Sequence, residues 1–244
     1  MNSVVPLSIN NVHKSYGNHK VLEGIDFSLN HGEIFGLIGL NGAGKTTLIK
    51  TMLDLISCEN GGIEIAGISS KDINARKNIS YLPEKFQPSR YLKGFEYLDL
   101  ALSYYKKALD KEYARKKAIE LDLDPDVLDS RVGSYSKGMG QKLGLVGAFM
   151  VDSSLLILDE PMSGLDPRAR IKLKDELLAN KKSGKTIFFS SHILSDIDEI
   201  CDRIGIIHDG KLYFIGTPKE FKDKMSEASL ERAFLKVIEA NAVI

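Results

Sequence analysis

Cysteine is scarce: Cys58 and Cys201 are the two among 244 residues. Two thiols build neither a disulfide framework nor a pair of CxxC zinc clips, so they suit a reducing cytosol, with both expected as buried small hydrophobes. Nor is there an excess of either charge. Lys plus Arg number 33 and Asp plus Glu 33, for a formal net charge of zero. A protein holding polyanions by bulk charge would be distinctly basic, so no nucleic-acid partner is expected. Long apolar runs are missing too: stretches such as 143–151 and 155–158 fall far short of the roughly 20 residues that a bilayer requires. After Met1 no basic patch leads into an apolar run and cleavage site, so no export signal is expected. A chain with these absences that works at a membrane works from outside the lipid.

What is there is core material. Hydrophobic residues make up 43% and charged residues 27%, which suits a folded globule and excludes disorder. Short strand signals fall at 7–12, 21–29, 63–65, 79–82, 155–158, 186–189, 204–207 and 212–215. The run at 34–38 is apolar throughout, as a strand buried on both faces reads, and it leads through a glycine-rich turn into a helical pattern over 47–56. Between about 87 and 150 the strands give way to helical spacing. Phe95, Leu98, Leu102 and Tyr105 share one face, then Ala114, Ala118 and Leu121, then Met139, Leu143, Val146 and Met150. This reads as a helical insertion between strand-rich parts of one domain spanning 1–244. Asp166-Pro167 is an N-cap followed by proline at N1, and Thr217 to Glu220 is a capping box. A last helix, within about 226–244, aligns Leu230, Phe234 and Val237.

The segment Gly39-Leu40-Asn41-Gly42-Ala43-Gly44-Lys45-Thr46 fits GxxxxGK[ST] and stands between an apolar strand and a helix, where such a loop must stand. Its glycines let backbone N–H groups turn inward onto phosphate oxygens, above the positive end of the new helix. Lys45 is placed to reach the β- and γ-phosphates and the Thr46 hydroxyl to ligate Mg²⁺. The bland alternative is a glycine-rich turn that binds nothing. Residues 155–158 run straight into Asp159 and Glu160, two acids at the sheet edge where ligands of open α/β sheets bind. Asp159 is the expected Mg²⁺ partner and Glu160 the residue that polarises the attacking water. A solvated acidic turn would be the plain reading of the same pair.

Taken in order, Tyr16, Gly39 to Thr47, Tyr135-Ser136-Lys137-Gly138-Met139, 155–161, Ser163 to Asp166 and Ser190-Ser191-His192 resemble the ATP-binding subunit of an ABC transporter over about 7–221. The resemblance implies an α/β fold: a P-loop NTPase core, its mixed sheet flanked by helices, with an N-terminal antiparallel β part and an inserted helical subdomain. It implies that Tyr16 stacks on adenine and that Gly39 to Thr47, Thr47 included, holds the phosphates. Ser136, Lys137, Gly138 and Met139 would face the γ-phosphate of ATP bound by a second subunit, identical or not. Asp166 would link the two sites, and His192 would brace the γ-phosphate and water. Read alone, Ser136 and Asp166 are only helix caps, and His192 is a lone histidine with a structural role. The implied partners are integral-membrane permease subunits on separate chains, contacted around Glu84 and 86–102. The implied location is cytoplasmic, peripheral on the inner face of the membrane.

Two departures stand out. The usual Leu-Ser-Gly-Gly-Gln is Tyr-Ser-Lys-Gly-Met here, and Glu84 stands where a glutamine follows the strand at 79–82. A carboxylate there could still reach the metal or its waters. Both departures, with the terminal segment near 230–235, resemble the subgroup serving antibiotic, bacteriocin or lipid efflux. The alternative is a soluble ABC-type ATPase acting on DNA or the ribosome, but a single copy without extended heptads or basic charge argues against it. A small-molecule phosphotransferase leaves residues 135–139 and 190–192 unexplained.

Overall fold

A computed structural model describes residues 4–241. In chain order its elements are β1 (Leu7–Tyr16), β2 (His19–Ser28), β3 (Ile34–Ile38), α1 (Lys45–Met52), β4 (Asn60–Ile65), β5 (Ile68–Ser69), β6 (Ile79–Leu82), α2 (Gly94–Ser103), α3 (Lys111–Glu120) and α4 (Lys137–Met150). They continue with β7 (Leu155–Asp159), α5 (Pro167–Lys182), β8 (Thr186–Ser191), α6 (Leu194–Ile200), β9 (Arg203–His208), β10 (Lys211–Gly216), α7 (Pro218–Met225) and α8 (Leu230–Asn241).

A six-stranded sheet in the order β10-β9-β3-β8-β7-β6 is parallel except for β10 at its edge. A second sheet, β2-β1-β4-β5, is antiparallel throughout. Every residue of β3, β7 and β8 is buried, the fate of continuous apolar strands covered on both faces. Alternation along those strands assigns two cores. Phe35, Leu37, Leu155, Ile157 and Phe188 join the side packed against the antiparallel sheet. There the Phe27 ring stacks on Phe35 at 5.1 Å, and Phe35 on Phe188 at 5.8 Å. Ile34, Ile38, Leu156, Leu158, Ile187 and Phe189 face the opposite way, onto the helices. Leu98, Leu102, Ala114, Ala118, Leu143 and Val146 complete that core. The chain is thus α/β, a mixed sheet flanked by helices with an antiparallel sheet on one face.

Several boundaries differ from the sequence expectation. The first two strands run on to the hairpin pair Tyr16 and His19, with bulges on the way. Helix α1 starts at Lys45 and stops at Met52 instead of Ile56, because Asp54 takes a left-handed φ of 54° that no helix continues. The two-residue strand β5 escaped notice. It closes a tight hairpin through Ala66 and Gly67, both at positive φ. Cys58 and Cys201 are half-buried, not buried, each at the margin of a core. The caps at Asp166 and Thr217 form as written, and α8 buries Leu230, Phe234 and Val237. Residues 242–244 of the terminal segment lie outside the described residues.

Register fixes where the site forms. Ile38 pairs with Ser191, Asp159 with Ser190, and Leu82 with Leu158, so four parallel strands end side by side. The loops that follow them carry residues 39–44, Glu84, Glu160 and His192 to one edge.

Candidate functional site

The loop after β3 needs glycine at two places. Gly44 caps α1 at φ 104°, and a Cβ there would lie 2.8 Å from the Val21 carbonyl oxygen. A Cβ on Gly39 would lie 2.7 Å from the Ile207 carbonyl oxygen. With both spaces filled by hydrogen alone, the loop folds over the start of α1. The Lys45 ammonium donates to the carbonyls of Gly39 at 2.8 Å and Leu40 at 3.3 Å. The cleft in front has a volume of 330 Å³ and is lined by Leu40, Asn41, Gly42, Gly44, Lys45, Thr46, Thr47, Glu84, Glu160, Ser163 and His192. Gly39 and Ala43 form its backing rather than its lining.

Behind the loop, Asp159 is fully buried at the end of β7. The Ser190 hydroxyl donates to its Oδ1 at 2.6 Å, while Oδ2 is buried without a hydrogen-bond partner. Burial holds its carboxyl above the ordinary range, the Ser190 and Thr46 hydroxyls oppose that, and the charges of Glu84 and Glu160 add to it. A buried carboxylate oxygen with no donor, beside a threonine hydroxyl, fits a hard divalent cation such as Mg²⁺. Among the described residues no three His, Cys, Asp or Glu side chains converge as a metal cage. A hydroxyl and one carboxylate, with phosphate and water completing the shell, is the arrangement such a site permits.

Glu160 is the centre of the polar array. It is buried at φ 51°, and its N–H donates to the Ser190 hydroxyl at 2.9 Å. Its Oε1 lies 3.4 Å from the Lys45 ammonium and its Oε2 2.7 Å from Nδ1 of half-exposed His192. The His192 N–H also donates to Oε2, at 3.3 Å. Ser190, whose hydroxyl touches both acids, was given no role by the sequence. The one signal was a pair of serines, Ser190 and Ser191, closing an apolar strand.

Other expected site residues lie elsewhere. Tyr16 ends β1 half-exposed, with the Lys14 ammonium 5.4 Å over its ring, and does not line the phosphate cleft. Ser136 caps α4 by accepting from the Met139 N–H at 3.2 Å. Ser136 and Lys137 line a second, separate cleft. Met139 packs half-buried on the helical core, and a Cβ on Gly138 would stand 3.2 Å from the Gly164 carbonyl oxygen. Asp166 caps α5 through the Ala169 N–H at 3.0 Å, which holds its carboxyl below the ordinary range. Glu84 borders the phosphate cleft and a neighbouring hollow shared with Thr46, Tyr81 and Asp159.

Residues 22–163 match the ABC transporter family model. The chain belongs to the ABC transporter family. It is 40% identical over 211 residues to an uncharacterized ABC transporter ATP-binding protein of Nostoc sp., covering 83% of this chain and 62% of that one. The chain therefore spans less than two thirds of that relative's length. It is 34% identical to the Nod factor export ATP-binding protein I of Burkholderia orbicola, over 88% of this chain and 72% of the relative. A solved structure described as an ATP-binding subunit of an ABC transporter superposes with a TM-score of 0.86 at 32% identity, covering 95% of this chain and 99% of that one. Both the ABC resemblance and its leaning toward efflux relatives agree with these matches. Among the described residues of this ABC protein, no helix is long and apolar enough to cross a membrane.

Proposed function

We propose that this chain is the ATP-hydrolysing motor subunit of an exporter. It closes head to tail with a second ATP-binding subunit around two ATP molecules and drives membrane-spanning chains separate from it. The observation that carries this reading is a division within one chain. Lys45, Glu160 and His192 meet at the phosphate cleft, whereas Ser136 and Lys137 border another. A γ-phosphate gripped from both sides would need a second subunit to bring its own signature residues. Export as the direction is supported by the resemblance to efflux subunits and by the likeness to the Nod factor export ATP-binding protein I.

In this reading the chain is one ABC-type domain, with an inserted helical subdomain at about 87–150 and a C-terminal helix within about 226–244. The backbone amides at 39–47 and the Lys45 ammonium hold the phosphates, and Tyr16 offers its open ring face to adenine. Thr46 and Asp159 would hold Mg²⁺, which when bound neutralises phosphate charge. Glu160 takes the proton of the attacking water, and His192 fixes that carboxylate and the γ-phosphate. Asp166, exposed at the start of α5, couples the two sites. ATP drives closure only through its greater affinity for the closed pair. The surface around Glu84 and 86–102 meets the permease, at the cytoplasmic face of the membrane.

Two measurements test the reading. Phosphate release from ATP by the purified chain should be lost in Glu160→Gln. Affinity purification from detergent extract should bring down an integral-membrane chain, and ribosomes or DNA in its place would overturn the transport assignment.

A further inference from the structure

We propose that Asp122 is a positioning residue that keeps Asp166 available to the second ATP-binding subunit. The proposal rests on the head-to-tail reading and names a residue which that reading does not use. Asp122 follows α3 in a left-handed turn, with φ 57°. The Leu123 N–H donates to the Ala118 carbonyl at 2.8 Å and the Asp122 N–H to the Ile119 carbonyl at 3.0 Å, the pattern that closes a helix around one left-handed residue. Glycine is the usual occupant of that place, because a Cβ is strained there. An aspartate brings a carboxylate at some cost to the backbone, and both of its oxygens are in use. Oδ1 lies 3.0 Å from Nε of Arg168, in the first turn of α5. Oδ2 accepts from the Lys142 ammonium of α4 at 2.9 Å, and the Asp122 carbonyl accepts from the same ammonium at 2.7 Å. One residue thus ties the end of α3 both to α4 and to the start of α5.

Lys142 stops short of Asp166. Its side chain is buried, and its ammonium stands 3.7 Å from Oδ2 of Asp166, outside hydrogen-bond reach. Oδ1 of Asp166 is occupied in capping α5 through the Ala169 N–H. Oδ2 is therefore the oxygen that Asp166, its side chain 58% exposed, can offer to another chain. Without the Asp122 charge, Lys142 keeps a single carboxylate within 4.0 Å, that of Asp166. A buried ammonium that has lost its carboxylate is strongly destabilised, so it is drawn across the remaining gap. Asp166 then pairs within its own chain and gives up its contact with the second subunit. Asp122 also holds together two surfaces such a subunit would meet, since Ser136 starts the helix that carries Lys142 and Asp166 the helix that carries Arg168. Neither Asp122 nor Lys142 lines the phosphate cleft, so ATP binding by a single chain should not feel the change. The plain alternative makes Asp122 a helix terminator and nothing more. Glycine or asparagine would serve that purpose at least as well, which separates the two roles.

The test measures pairing of the Glu160→Gln chain with ATP by sedimentation equilibrium, alone and with Asp122→Gly or Asp122→Asn added. Both replacements suit a left-handed φ, and if one does not fold the other serves. Each should bind a fluorescent ATP analogue as the parent does. The dimer should be weaker by roughly tenfold, within the usual range of coupling between sites. Adding Lys142→Gln to Asp122→Asn should restore most of that loss, because it keeps a donor toward the Asp122 carbonyl but lacks the charge that captures Asp166. A residue that only ended a helix would produce neither the loss nor the recovery. Unchanged pairing in the Asp122 variants would overturn the proposal, as would a loss that Lys142→Gln does not relieve, or an equal loss of ATP affinity. If Glu160→Gln itself stays monomeric at saturating ATP, the head-to-tail reading falls and the proposal falls with it. Pairing that ignores Asp122 removes this role alone and leaves that reading intact.

Discussion

Glu160→Gln should make ATP bind more tightly while stopping its hydrolysis, and the two effects have separate causes. Without nucleotide, the Glu160 carboxylate lies 3.4 Å from the Lys45 ammonium, with the two side chains only 8% and 7% exposed. At an effective dielectric of about 20, opposite charges at that 3.4 Å distance attract by roughly 5 kcal/mol gross. Desolvation takes most of that back. What remains is on the order of 1 to 3 kcal/mol, the net value of a hydrogen bond to a charged group. The phosphates must displace this carboxylate from Lys45, and its charge repels them. Glutamine keeps the size and one hydrogen bond to His192 but removes the charge. Affinity for the ATP analogue should therefore rise about five- to tenfold, equivalent to about 1 to 1.4 kcal/mol. Hydrolysis should fall by at least roughly 10², as expected for the loss of a general base. In the proposed dimer, uncleaved ATP should then stay between Lys45 of one subunit and Ser136 and Gly138 of the next. On size-exclusion chromatography the variant should run as a dimer with ATP and a monomer with ADP. Weaker ATP binding would refute the competition between carboxylate and phosphate. A monomer at saturating ATP would refute the shared site, and normal hydrolysis would take Glu160 out of the chemistry.

Lys45→Ala should abolish useful ATP binding, because it removes the phosphate counter-charge and strands the carbonyls of Gly39 and Leu40. Near-wild-type affinity in a fluorescence titration would disqualify the loop. Tyr16→Ala should weaken ATP and GTP alike by about 1 to 3 kcal/mol of stacking, since a ring face discriminates little between bases. Unchanged affinity would leave Tyr16 a surface aromatic. Glu84→Gln should fold, and a phosphate-release assay should find the isolated chain still active, with any defect confined to coupling with the membrane partner. Complete loss of hydrolysis would move Glu84 into the catalytic group.

The sheet was legible because burial on both faces writes itself as unbroken apolar runs, as at 34–38 and 155–158, and helix starts because caps are local chemistry. Ser136, Asp166 and Thr217 each accept an N–H from within their own first turn, so their sequences suffice. The end of α1 was not legible. Nothing in Leu53-Asp54-Leu55 forbids another turn, and the stop comes from Asp54 adopting a left-handed φ. Strand β5 was too short for any period to appear. The second cleft was also invisible, since its walls at 87–91 and 131–140 lie far apart in sequence and are joined by hydrogen bonds such as Val132 N–H to the Leu92 carbonyl and Gly133 N–H to the Arg90 carbonyl.

The same limit applies with more consequence to Glu160. As a letter it is the second of two acids after a strand. In the fold it is the one buried member among the described non-glycine residues at positive φ, which are otherwise mostly Asn and Asp in exposed or half-exposed turns. A non-glycine residue held there costs on the order of 1 to 3 kcal/mol, and such strain persists only where surrounding contacts impose it. Those contacts are identifiable. The Ser190 hydroxyl donates to Asp159 and accepts from the Glu160 N–H, so one side chain from the neighbouring strand sets both carboxylates at once. His192, two residues further along the same segment, then fixes the direction of the Glu160 side chain. The strained turn leaves Asp159 buried beneath the loop and Glu160 facing the phosphate cleft, although the two are adjacent in the chain. A relaxed strand would also alternate them, but it would continue past the sheet edge instead of stopping at the cleft. The sharp turn at Glu160 is what lets neighbouring acids face different ways, and in the proposed mechanism that gives them different tasks, one toward the metal and one toward the water.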